Sequence, residues 1–321
     1  MKIERINPVQ VMIGASLLLL GMMMIANWEL LKVPLIDACN STLGENLCGS
    51  KLRDIAASFL WVFSLLPIVL FVEIFFRAKP DQPIFSVGLF QDFVWYMFLL
   101  FFVGLMLYPY ADYLATTLES NFPILHVDLI ASLPVSIQVI VVILISDFIG
   151  WFDHWVRHKV PFLWEFHKIH HSPRELNFFT NMRLHPVDYL AISTIGIPFL
   201  MLDLDVAVPT FIGWLIFKEL HLFFIHANFR TDFGIFRYVL TTPQSHRIHH
   251  SIERRHQDLN LGVQFVFWDF LFGTQWTKWD EYPDTGVEDE DFPNEVSARP
   301  KDLLGTIYKQ FIYPFTRVFQ N

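Results

Sequence analysis

Four long apolar stretches in the first half of the chain most restrict what it can fold into. A helix needs roughly 20 apolar residues to cross a bilayer. Hydrophobic residues make up 53% of the 321 positions and charged residues only 17%, against about 25% charged in soluble domains. This composition excludes disordered, collagen-like and disulfide-framework chains. We predict an all-helical, polytopic membrane protein with four spans at residues 8–27, 54–76, 84–108 and 129–152.

The basic residues between these stretches are unevenly distributed. Lys2 and Arg5 precede the first stretch, and Arg77 and Lys79 separate the second from the third. The loop at residues 109–128 contains no Lys or Arg. Because cytoplasmic loops carry an excess of basic residues, we predict a cytoplasmic N-terminus, with the first stretch as an uncleaved anchor. Four spans then return the chain to the cytoplasm, although the first outer loop also holds three basic residues.

Three polar features of this half allow more than one interpretation. Cys39 and Cys48 lie in the first outer loop, where an oxidising compartment permits a disulfide, but two free thiols fit the sequence equally well. Asp92 lies in the third span, where an ionisable group is a functional candidate unless it reaches the interface. Glu73, four residues before Arg77, is typical of an interfacial ion pair.

Histidine spacing is the strongest chemical signal in the second half. Twelve of the thirteen histidines lie between positions 154 and 256. In a helix, residues three or four apart share a face with Cβ atoms about 5–6 Å apart, so each cluster can direct its imidazoles at a common point. Three clusters have this spacing: His154-x3-His158, His167-x2-His170-His171 and His246-x2-His249-His250.

A metal site explains the three clusters better than a structural role does. A single histidine on an apolar face is most often a core residue that is hydrogen-bonded to a neighbour. Several buried imidazoles packed together would repel one another on protonation and would need many partners. A metal ion removes both problems.

The other five histidines divide into two sets. His185 and His226 are further candidate ligands, because each borders an apolar helix next to the clusters. His221 lies on a different helix face from His226, His256 follows two arginines and is predicted at the surface, and His126 lies on the outer side. We assign no metal to these last three.

Two carboxylates lie where they can support histidine ligands. Asp147 is seven residues before His154 and therefore on the same helical stripe, and Glu219 is seven residues before His226. A carboxylate in such a position accepts the free ring N–H of a ligating histidine and fixes its orientation. For Asp147, a helix-end aspartate bonded to water is the alternative.

These patterns divide the chain into three parts. We predict a transmembrane region at residues 1–152, a histidine-rich catalytic domain at 153–279 and an acidic tail at 280–321. Two aspartates interrupt the apolar region at 189–226, whose first arm is too short to span, so we expect a re-entrant or interfacial hairpin that returns to the cytoplasmic side. The first part of the tail, residues 280–302, is predicted to be solvated, and residues 303–319 are predicted to form an interfacial helix.

The residues around the clusters resemble a known family. Five short motifs surround the second and third clusters: Trp164-Glu165-Phe166-His167-Lys168, Thr242-Pro243, Asn260-Leu261-Gly262, Trp268-Asp269 and Phe272-Gly273-Thr274. Together with the histidine spacing and the membrane half, they resemble the fatty acid hydroxylase / sterol desaturase superfamily of integral-membrane di-iron oxygenases. The resemblance runs from about Asp147 to Thr274. Trp151 and Trp155 depart from residues common in the family.

The resemblance implies a cofactor and a reaction. It implies two iron ions, which zinc can replace in a purified protein, and O2 as co-substrate. The implied reaction is hydroxylation of a C–H bond in a fatty acyl, sterol or related lipid, with desaturation by the same site as the alternative. Electrons would come from a separate ferredoxin-like or cytochrome-b5-like protein. The implied ligands are His154, His158, His167, His170, His171, His185, His226, His246, His249 and His250. The residues expected to support them are Asp147, Glu219, Asn228 and Asp269.

Other classes of protein fit these patterns less well. A haem electron carrier needs only one or two axial histidines, and a membrane metal transporter places its ligands near the bilayer midplane, whereas these clusters follow the last span. The net charge of −9 and the lack of a basic face argue against a nucleic-acid partner.

Overall fold

The fold is all-helical over the part of the chain that the computed structural model describes, namely residues 66–102, 108–122, 133–200, 208–297 and 299–318. This confirms the predicted class for those ranges, where pairing of extended segments is limited to isolated bridges. Short 3-10 helices lie at Phe178–Met182, Gly234–Tyr238 and Arg254–His256. The α-helices are α1 (Leu66–Phe75), α2 (Val87–Phe102), α3 (Tyr108–Asn121), α4 (Val135–Lys159), α5 (Pro161–His171), α6 (Pro186–Leu200), α7 (Val208–His226), α8 (Pro243–His249), α9 (Phe267–Phe272) and α10 (Pro300–Val318).

Helix α4 is the one described helix that is long and apolar enough to cross a membrane. Its 25 residues extend about 37 Å at the helical rise, which exceeds the roughly 30 Å hydrocarbon core of a bilayer. Ile137, Ile140 and Leu144 in its first half are exposed, whereas Asp153 and His154 near its end are buried. The first half of the helix is therefore apolar and exposed, whereas its end is polar and buried inside the protein.

The helix that contains the predicted fourth span continues beyond it. We placed the end of that span at residue 152, but α4 reaches Lys159 and carries His154 and His158 on its last two turns. Helical hydrogen bonds join backbone groups and do not depend on side-chain polarity. The end of the apolar run therefore did not mark the end of the helix, and the first histidine cluster is a rigid extension of it.

Helix α2 covers most of the predicted third span, and its described part has 16 residues. Trp95 and Tyr96 on α2 are buried, because the helix packs against the 3-10 helix at Phe178–Met182 and against α10. The span predicted at residues 8–27, the first part of the second span and the two cysteines lie outside the described residues.

Asp92 is a buried structural residue of α2. Its carboxylate accepts hydrogen bonds of 2.7 Å from both Asn177 Nδ2 and Thr180 Oγ1. It also pairs with the fully buried Arg183, which in turn pairs with Glu295. These bonds explain why an ionisable group occurs within an apolar stretch, since the charge is balanced inside the protein.

The predicted hairpin comprises α6 and α7, with residues 201–207 outside the described ranges. Asp188, in the first turn of α6, lies 3.9 Å from Arg157 of α4. His226, at the end of α7, lies 3.2 Å from His170. The beginning of α6 and the end of α7 therefore meet at the histidines, and α4 packs against both helices.

The C-terminal segment is packed against the histidine-rich region. Its acidic part was predicted to be solvated, but Asp289 Oδ2 lies 2.8 Å from Lys168 Nζ and Phe292 is buried. Helix α10 continues through Pro314 and packs against α2 and α5. The acidic charges are compatible with this packing because several of them pair with basic residues of the preceding helices.

Candidate metal centre

Nine histidines form two groups inside the protein. Within each group, one ring nitrogen from every histidine lies within 4.8 Å of those of the others. The two groups adjoin, since the rings of His171 and His250 stack with centroids 4.4 Å apart. The five-histidine group comprises His154, His158, His167, His171 and His249, and the four-histidine group comprises His170, His226, His246 and His250.

Each H-x-x-H-H cluster supplies both groups. On α5, His167 and His171 are four residues apart and share a face in the five-histidine group, whereas His170 points to the four-histidine group. The third cluster has the opposite arrangement, because His246 and His250 enter the four-histidine group and His249 enters the five-histidine group. The histidines of each such cluster therefore lie on two faces of their helix, and each face contributes ligands to one of two adjacent sites.

Local sequence signals fix the start of the helix that carries the third cluster. Thr242 caps α8 through a reciprocal pair of hydrogen bonds with Ser245, and Pro243 occupies the first helical position. Both features are strong helix-initiation signals. They explain why Thr242-Pro243 precedes the histidines and set the rotation of the short helix that directs them.

Backbone carbonyls fix the tautomers of two histidines that face each other. Nδ1 of His154 lies 2.9 Å from the oxygen of Leu261, and Nδ1 of His249 lies 2.9 Å from the oxygen of Leu259. Since a carbonyl only accepts, each Nδ1 donates, and the Nε2 of each neutral ring carries a lone pair. These two Nε2 atoms are 2.9 Å apart, so two lone pairs face each other with no proton between them.

The same convergence occurs in the four-histidine group. His226 donates from Nδ1 to the oxygen of Leu222 at 2.7 Å, which leaves its Nε2 as a lone pair. That Nε2 lies 2.8 Å from Nε2 of His246 and 3.2 Å from Nε2 of His170. In the same group, Nε2 of His250 lies 3.1 Å from Nε2 of His246.

These nitrogens fit metal ions. Imidazole ligands lie about 2.0–2.1 Å from a bound metal, so neighbouring ligands at right angles are roughly 3 Å apart. The measured Nε2 separations of 2.8–3.2 Å match that value. A cation also resolves the facing lone pairs of His154 and His249. Imidazole binds iron, zinc, copper and nickel, so the donor set does not specify the metal.

Burial keeps the histidines in the neutral form that metals bind. Desolvation is the largest cause that lowers their pKa, and charge repulsion from neighbouring groups lowers it further. Since metal ligation needs the deprotonated imidazole, these environments favour metal over protons. The pKa lies well below 6.5 for His167, His170, His171, His246, His249 and His250.

His185 lies outside both groups. Its Nδ1 accepts a hydrogen bond from the backbone N–H of Val187 at 3.1 Å, and its Nε2 lies 3.3 Å from the oxygen of Phe311. Its ring packs between Phe166 and Phe311, with both centroid distances 4.8 Å. Both ring nitrogens therefore have other partners, and His185 joins α6 to α10.

The two other histidines of this half have structural contacts. His221 Nε2 donates to the oxygen of Thr241 at 2.8 Å. His256 was predicted at the surface but is fully buried, with Ser251 Oγ 2.9 Å from Nδ1 and Glu281 Oε2 3.2 Å from Nε2. The fold of the C-terminal segment over this loop accounts for the difference.

Asp147 and Asp269 support the histidines through the backbone instead of by direct contact. Asp147 accepts hydrogen bonds of 2.9 Å from the backbone of Gln264 and from the indole of Trp268. Asp269 accepts from the N–H groups of Leu261 and Gly262 at 3.0 and 2.7 Å. These bonds hold the loop whose carbonyl at Leu261 orients His154.

Gly262 is required for this arrangement. A Cβ atom there would lie 2.7 Å from the oxygen of Phe265 and 2.9 Å from Asp269 Oδ2. Neither distance is sterically acceptable. The Asn260-Leu261-Gly262 motif is thus explained by a close approach of backbone and carboxylate.

Asn228 and Glu219 also make no direct contact with a ligand histidine in the described ranges. Asn228 exchanges hydrogen bonds with the backbone of Lys79, at 2.9 and 3.0 Å, and its backbone N–H donates to Glu73. It therefore connects the end of α7 to the segment after α1. Glu219 is half-buried, and desolvation raises its pKa, with Lys218 as the nearby opposing charge.

Three charged residues that the sequence analysis missed lie beside the ligands. Asp258 Oδ1 accepts from Nδ1 of His158 at 3.2 Å. Arg157 Nη1 lies 3.0 Å from Nδ1 of His167, and Asp188 Oδ1 lies 3.6 Å from the same nitrogen. The sequence separation of 100 residues between His158 and Asp258 concealed this contact, because helical periodicity relates only near neighbours.

Two cavities reach the histidines from different directions. A polar cleft of about 480 Å³ is lined by His158, His171 and His249 of the five-histidine group. A smaller cavity of about 150 Å³ lies among α4, α6 and α7 and contacts both groups. Its walls are largely apolar and include Ile192 and Leu222.

Comparison with known proteins agrees with this geometry. The model of the family described as "Fatty acid hydroxylase" matches residues 139–274, which contain every histidine of both groups. The chain carries a fatty acid hydroxylase domain. This confirms the superfamily that the sequence motifs resemble. A search of solved structures gave no match.

Curated relatives match part of the chain. Human alkylglycerol monooxygenase is 33% identical over 128 residues, which is 40% of this chain and 28% of the relative. The ornithine lipid hydroxylase OlsE of Rhizobium tropici is 32% identical over 149 residues, 44% of this chain and 42% of the relative. The chain therefore covers less than half the length of these relatives.

Proposed function

We propose that this protein is an O2-dependent, di-iron membrane oxidoreductase that hydroxylates a C–H bond of a lipid. The proposal rests mainly on the facing Nε2 atoms of His154 and His249. In each ring the proton is on Nδ1 and is donated to a backbone carbonyl. Such a pair is stable when a cation lies between the rings. The fatty acid hydroxylase domain and the relatives' names support iron and a lipid substrate.

The proposed ligand set contains nine histidines. One iron belongs to the five-histidine group and the other to the four-histidine group, and His185 is omitted because both of its ring nitrogens have other partners. Bound iron supplies the activation of O2 for C–H cleavage, which no amino-acid side chain can perform. The protein's own residues then determine how the substrate is placed and how water is excluded.

Individual residues have distinct parts in this arrangement. The carbonyls of Leu259 and Leu261 orient His249 and His154, and Asp258 orients His158. Because a fixed ring presents its lone pair in one direction, these contacts preorganise the site before metal binds. The apolar cavity among α4, α6 and α7 holds the reacting part of the lipid and excludes water from it.

The membrane places the substrate. We propose that α4 spans the bilayer and that the histidine-rich domain, from residue 153 to 279, lies at the cytoplasmic face with the N- and C-termini. The apolar cavity opens between α4 and the hairpin helices α6 and α7, so a lipid can enter it laterally. The polar cleft faces the aqueous side, where a separate ferredoxin-like or cytochrome-b5-like electron donor has access.

Hydroxylation is favoured over desaturation by the relatives, which are named as a monooxygenase and a hydroxylase. The two reactions differ in product mass, because an inserted oxygen adds about 16 mass units and a new double bond removes about 2. Comparative lipid analysis of cells that carry the protein or its His249→Ala variant distinguishes them. We expect a product with added oxygen that depends on His249.

Metal analysis tests the site independently of the substrate. We expect about two irons per chain in the purified protein and fewer in the His170→Ala and His249→Ala variants. A His185→Gln variant is the matched control and should keep both irons. If His170→Ala and His249→Ala retained full iron and activity, the proposed site would be wrong.

A further inference from the structure

Two surface segments of the histidine-rich domain expose large apolar side chains. The 3-10 helix at Gly234–Tyr238 has no buried residue, and Phe236 in this helix is 62% exposed. On the short helix α9, Leu271 is 69% exposed. Single exposed apolar residues are common on soluble proteins, but a contiguous group of them indicates an interaction surface. Six side chains form what we call the apolar patch: Ile235, Phe236, Val239, Phe270, Leu271 and Phe272.

Backbone hydrogen bonds hold the two segments side by side. The N–H of Thr241 donates to the oxygen of Gln264 at 2.9 Å, and the N–H of Val266 donates to the oxygen of Val239 at 3.0 Å. Val266 directly precedes α9, and Val239 directly follows the 3-10 helix. The two segments are therefore fixed to each other, and the apolar patch is one surface that both of them supply.

The patch carries little charge. Between positions 233 and 240 the one charged residue is Arg237, and between positions 261 and 276 it is Asp269. Arg237 pairs with Asp232 at 2.5 Å, and Asp269 is buried. An exposed surface without unpaired charge favours an apolar partner, because a charged partner would lose water without gaining an opposite charge.

The border of the patch resembles a membrane interface in composition. Tyr238 and Trp279 lie against the guanidinium of Arg237, whose central carbon is 5.2 and 5.3 Å from their ring centroids. Tyr and Trp are enriched where the hydrocarbon of a bilayer meets the headgroups. Their rings are apolar and their edges are polar, so both can lie at that boundary while the patch lies below it.

The patch also continues the exposed side of helix α4. The ring centroid of Phe148 lies 4.9 Å from that of Trp268 on α9, and Trp151 stacks on Phe272 with centroids 4.5 Å apart. Phe148 belongs to a stripe of apolar residues spaced four apart, which places them on one side of the helix. Three of the four are exposed. The stripe comprises Ile140, Leu144, Phe148 and Phe152.

The position of these contacts along α4 gives the depth of the patch. Phe148 and Trp151 lie about 20 and 24 Å from Val135 along the helix axis. A hydrocarbon core of roughly 30 Å that begins at Val135 therefore contains both contacts, near its inner boundary. A protein partner would have to displace lipid to reach the patch there, so the bilayer is the occupant that fits.

We propose that the apolar patch inserts into the leaflet nearer the histidine-rich domain, so that α9 and the 3-10 helix anchor this domain in addition to α4. The anchor is connected to the metal centre. Asp269 of α9 accepts hydrogen bonds from the N–H groups of Leu261 and Gly262, and the carbonyl of Leu261 orients His154. Bilayer contact then fixes the depth of the loop that orients this ligand. The inference rests on the membrane placement in the proposed function, namely on α4 as a span.

Fluorescent labels measure the depth of the patch in the full-length, iron-loaded protein in nanodiscs. The dye NBD is attached to Phe236→Cys or Leu271→Cys in a background that carries Cys39→Ser and Cys48→Ser. Lipids with a nitroxide near the headgroup or near the chain end quench shallow and deep dyes, and iodide quenches dyes in water. We expect the shallow nitroxide to quench both dyes best, since apolar faces at interfaces are buried about 5–10 Å.

Matched labels calibrate the depth. Leu144→Cys is exposed on α4 about 14 Å from its start, near the bilayer centre, and its dye should be quenched best by the deep nitroxide. Arg254→Cys borders the polar cleft, and its dye should be quenched best by iodide. Each variant should keep the iron content of wild type. Ile235→Cys and Phe270→Cys provide a second site in each segment if a first one does not fold.

Two outcomes would overturn the proposal. Stronger quenching by iodide than by either lipid at both segments would show that the patch lies in water. Weak quenching by all three reagents would show that protein covers the patch, either another part of this chain or a second copy. Crosslinking then distinguishes these two coverings, and both contradict insertion into lipid.

The same measurements separate this inference from the proposed function. If the dye at Leu144→Cys is quenched best by iodide, α4 does not span the bilayer and the proposed membrane placement fails. If that dye is deep while the patch dyes are in water, the placement stands and the inserted patch is wrong. If the patch inserts but lipid analysis finds no oxidised product, the inference stands and the proposed hydroxylase activity is contradicted.

Discussion

The two histidine groups share a donor type but differ in how the protein holds them. In the five-histidine group, Nδ1 of His154 and His249 donates to backbone carbonyls and Nδ1 of His158 faces Asp258. In the four-histidine group, Nδ1 of His226 donates to the oxygen of Leu222. Nδ1 of His246 and of His250 has no hydrogen-bond partner in the described ranges.

Their surroundings differ as well. The polar cleft reaches the five-histidine group. Of the two cavities, the four-histidine group contacts only the apolar one. A ring held by a hydrogen bond keeps its orientation when water is near, while a ring enclosed by packing needs no such bond. We infer that the first group is the water-accessible, hydrogen-bonded site and the second is the enclosed site held by packing.

The largest expected effect is the loss of a single iron from either group. His249→Ala removes a ligand from the five-histidine group and His246→Ala removes one from the four-histidine group. Each variant should fall from about two irons per chain to about one, and the double variant to none, as measured by elemental mass spectrometry. Loss of both irons in either single variant would show that the groups are one cooperative centre.

A water-soluble chelator should remove the two irons at different rates. The iron of the five-histidine group borders the polar cleft, so we expect it to leave first and by at least tenfold, because the other site is enclosed by apolar side chains. Stopped-flow absorbance with an iron chelator measures the two phases. A single phase in which both irons leave together would contradict the difference in access.

Asp258→Asn tests the carboxylate anchor of the exposed group. The bonds to His158 and Lys159 lower the pKa of Asp258 to about 2 despite its partial burial, so it is ionised and strengthens its partner histidine as a ligand. Loss of such an anchor weakens metal affinity roughly 10–100-fold. Iron titration should show this loss in one site only. Glu290→Gln, in the same cleft without a histidine contact, is the control.

The smallest expected effect is the pH dependence of stability in the metal-free protein. Burial holds the pKa of His246 and His250 well below 6.5, so below that pH the unfolded chain binds protons that the folded protein does not. The contribution of these histidines to stability should therefore be nearly constant above about pH 7.5 and fall as the pH decreases through 6.5. Melting temperatures in detergent between pH 8 and 5, which are about the limits of histidine titration, measure this. A higher melting temperature at acidic pH would contradict neutral, buried histidines.

Much of the centre could be predicted from sequence because its ligands lie on helices. Nine of the ten predicted ligands meet in two groups. Eight of the nine belong to clusters whose spacing of three and four residues places side chains on one face whatever the tertiary fold. The exception, His185, lies outside a helical cluster. Its environment depends on α10, which is more than 100 residues away in the chain.

The supporting residues were harder to predict. Asp147 does lie on the stripe of α4 that leads to His154, but its oxygens bond to Gln264 and Trp268. Asp258, which does contact a ligand, had no periodic relation to His158. Contacts between a helix and a distant loop are set by packing, and a single sequence carries little information on them.

The sequence by itself determined that the chain is helical, that a long apolar helix leads into a histidine-rich domain, and which histidines can share a face. These properties follow from local periodicity and hydrophobicity. Only the tertiary structure decided that each H-x-x-H-H cluster divides between two groups, and that Asp258 and two carbonyls orient the rings. Those properties arise where segments far apart in the chain are packed together, which local patterns do not encode.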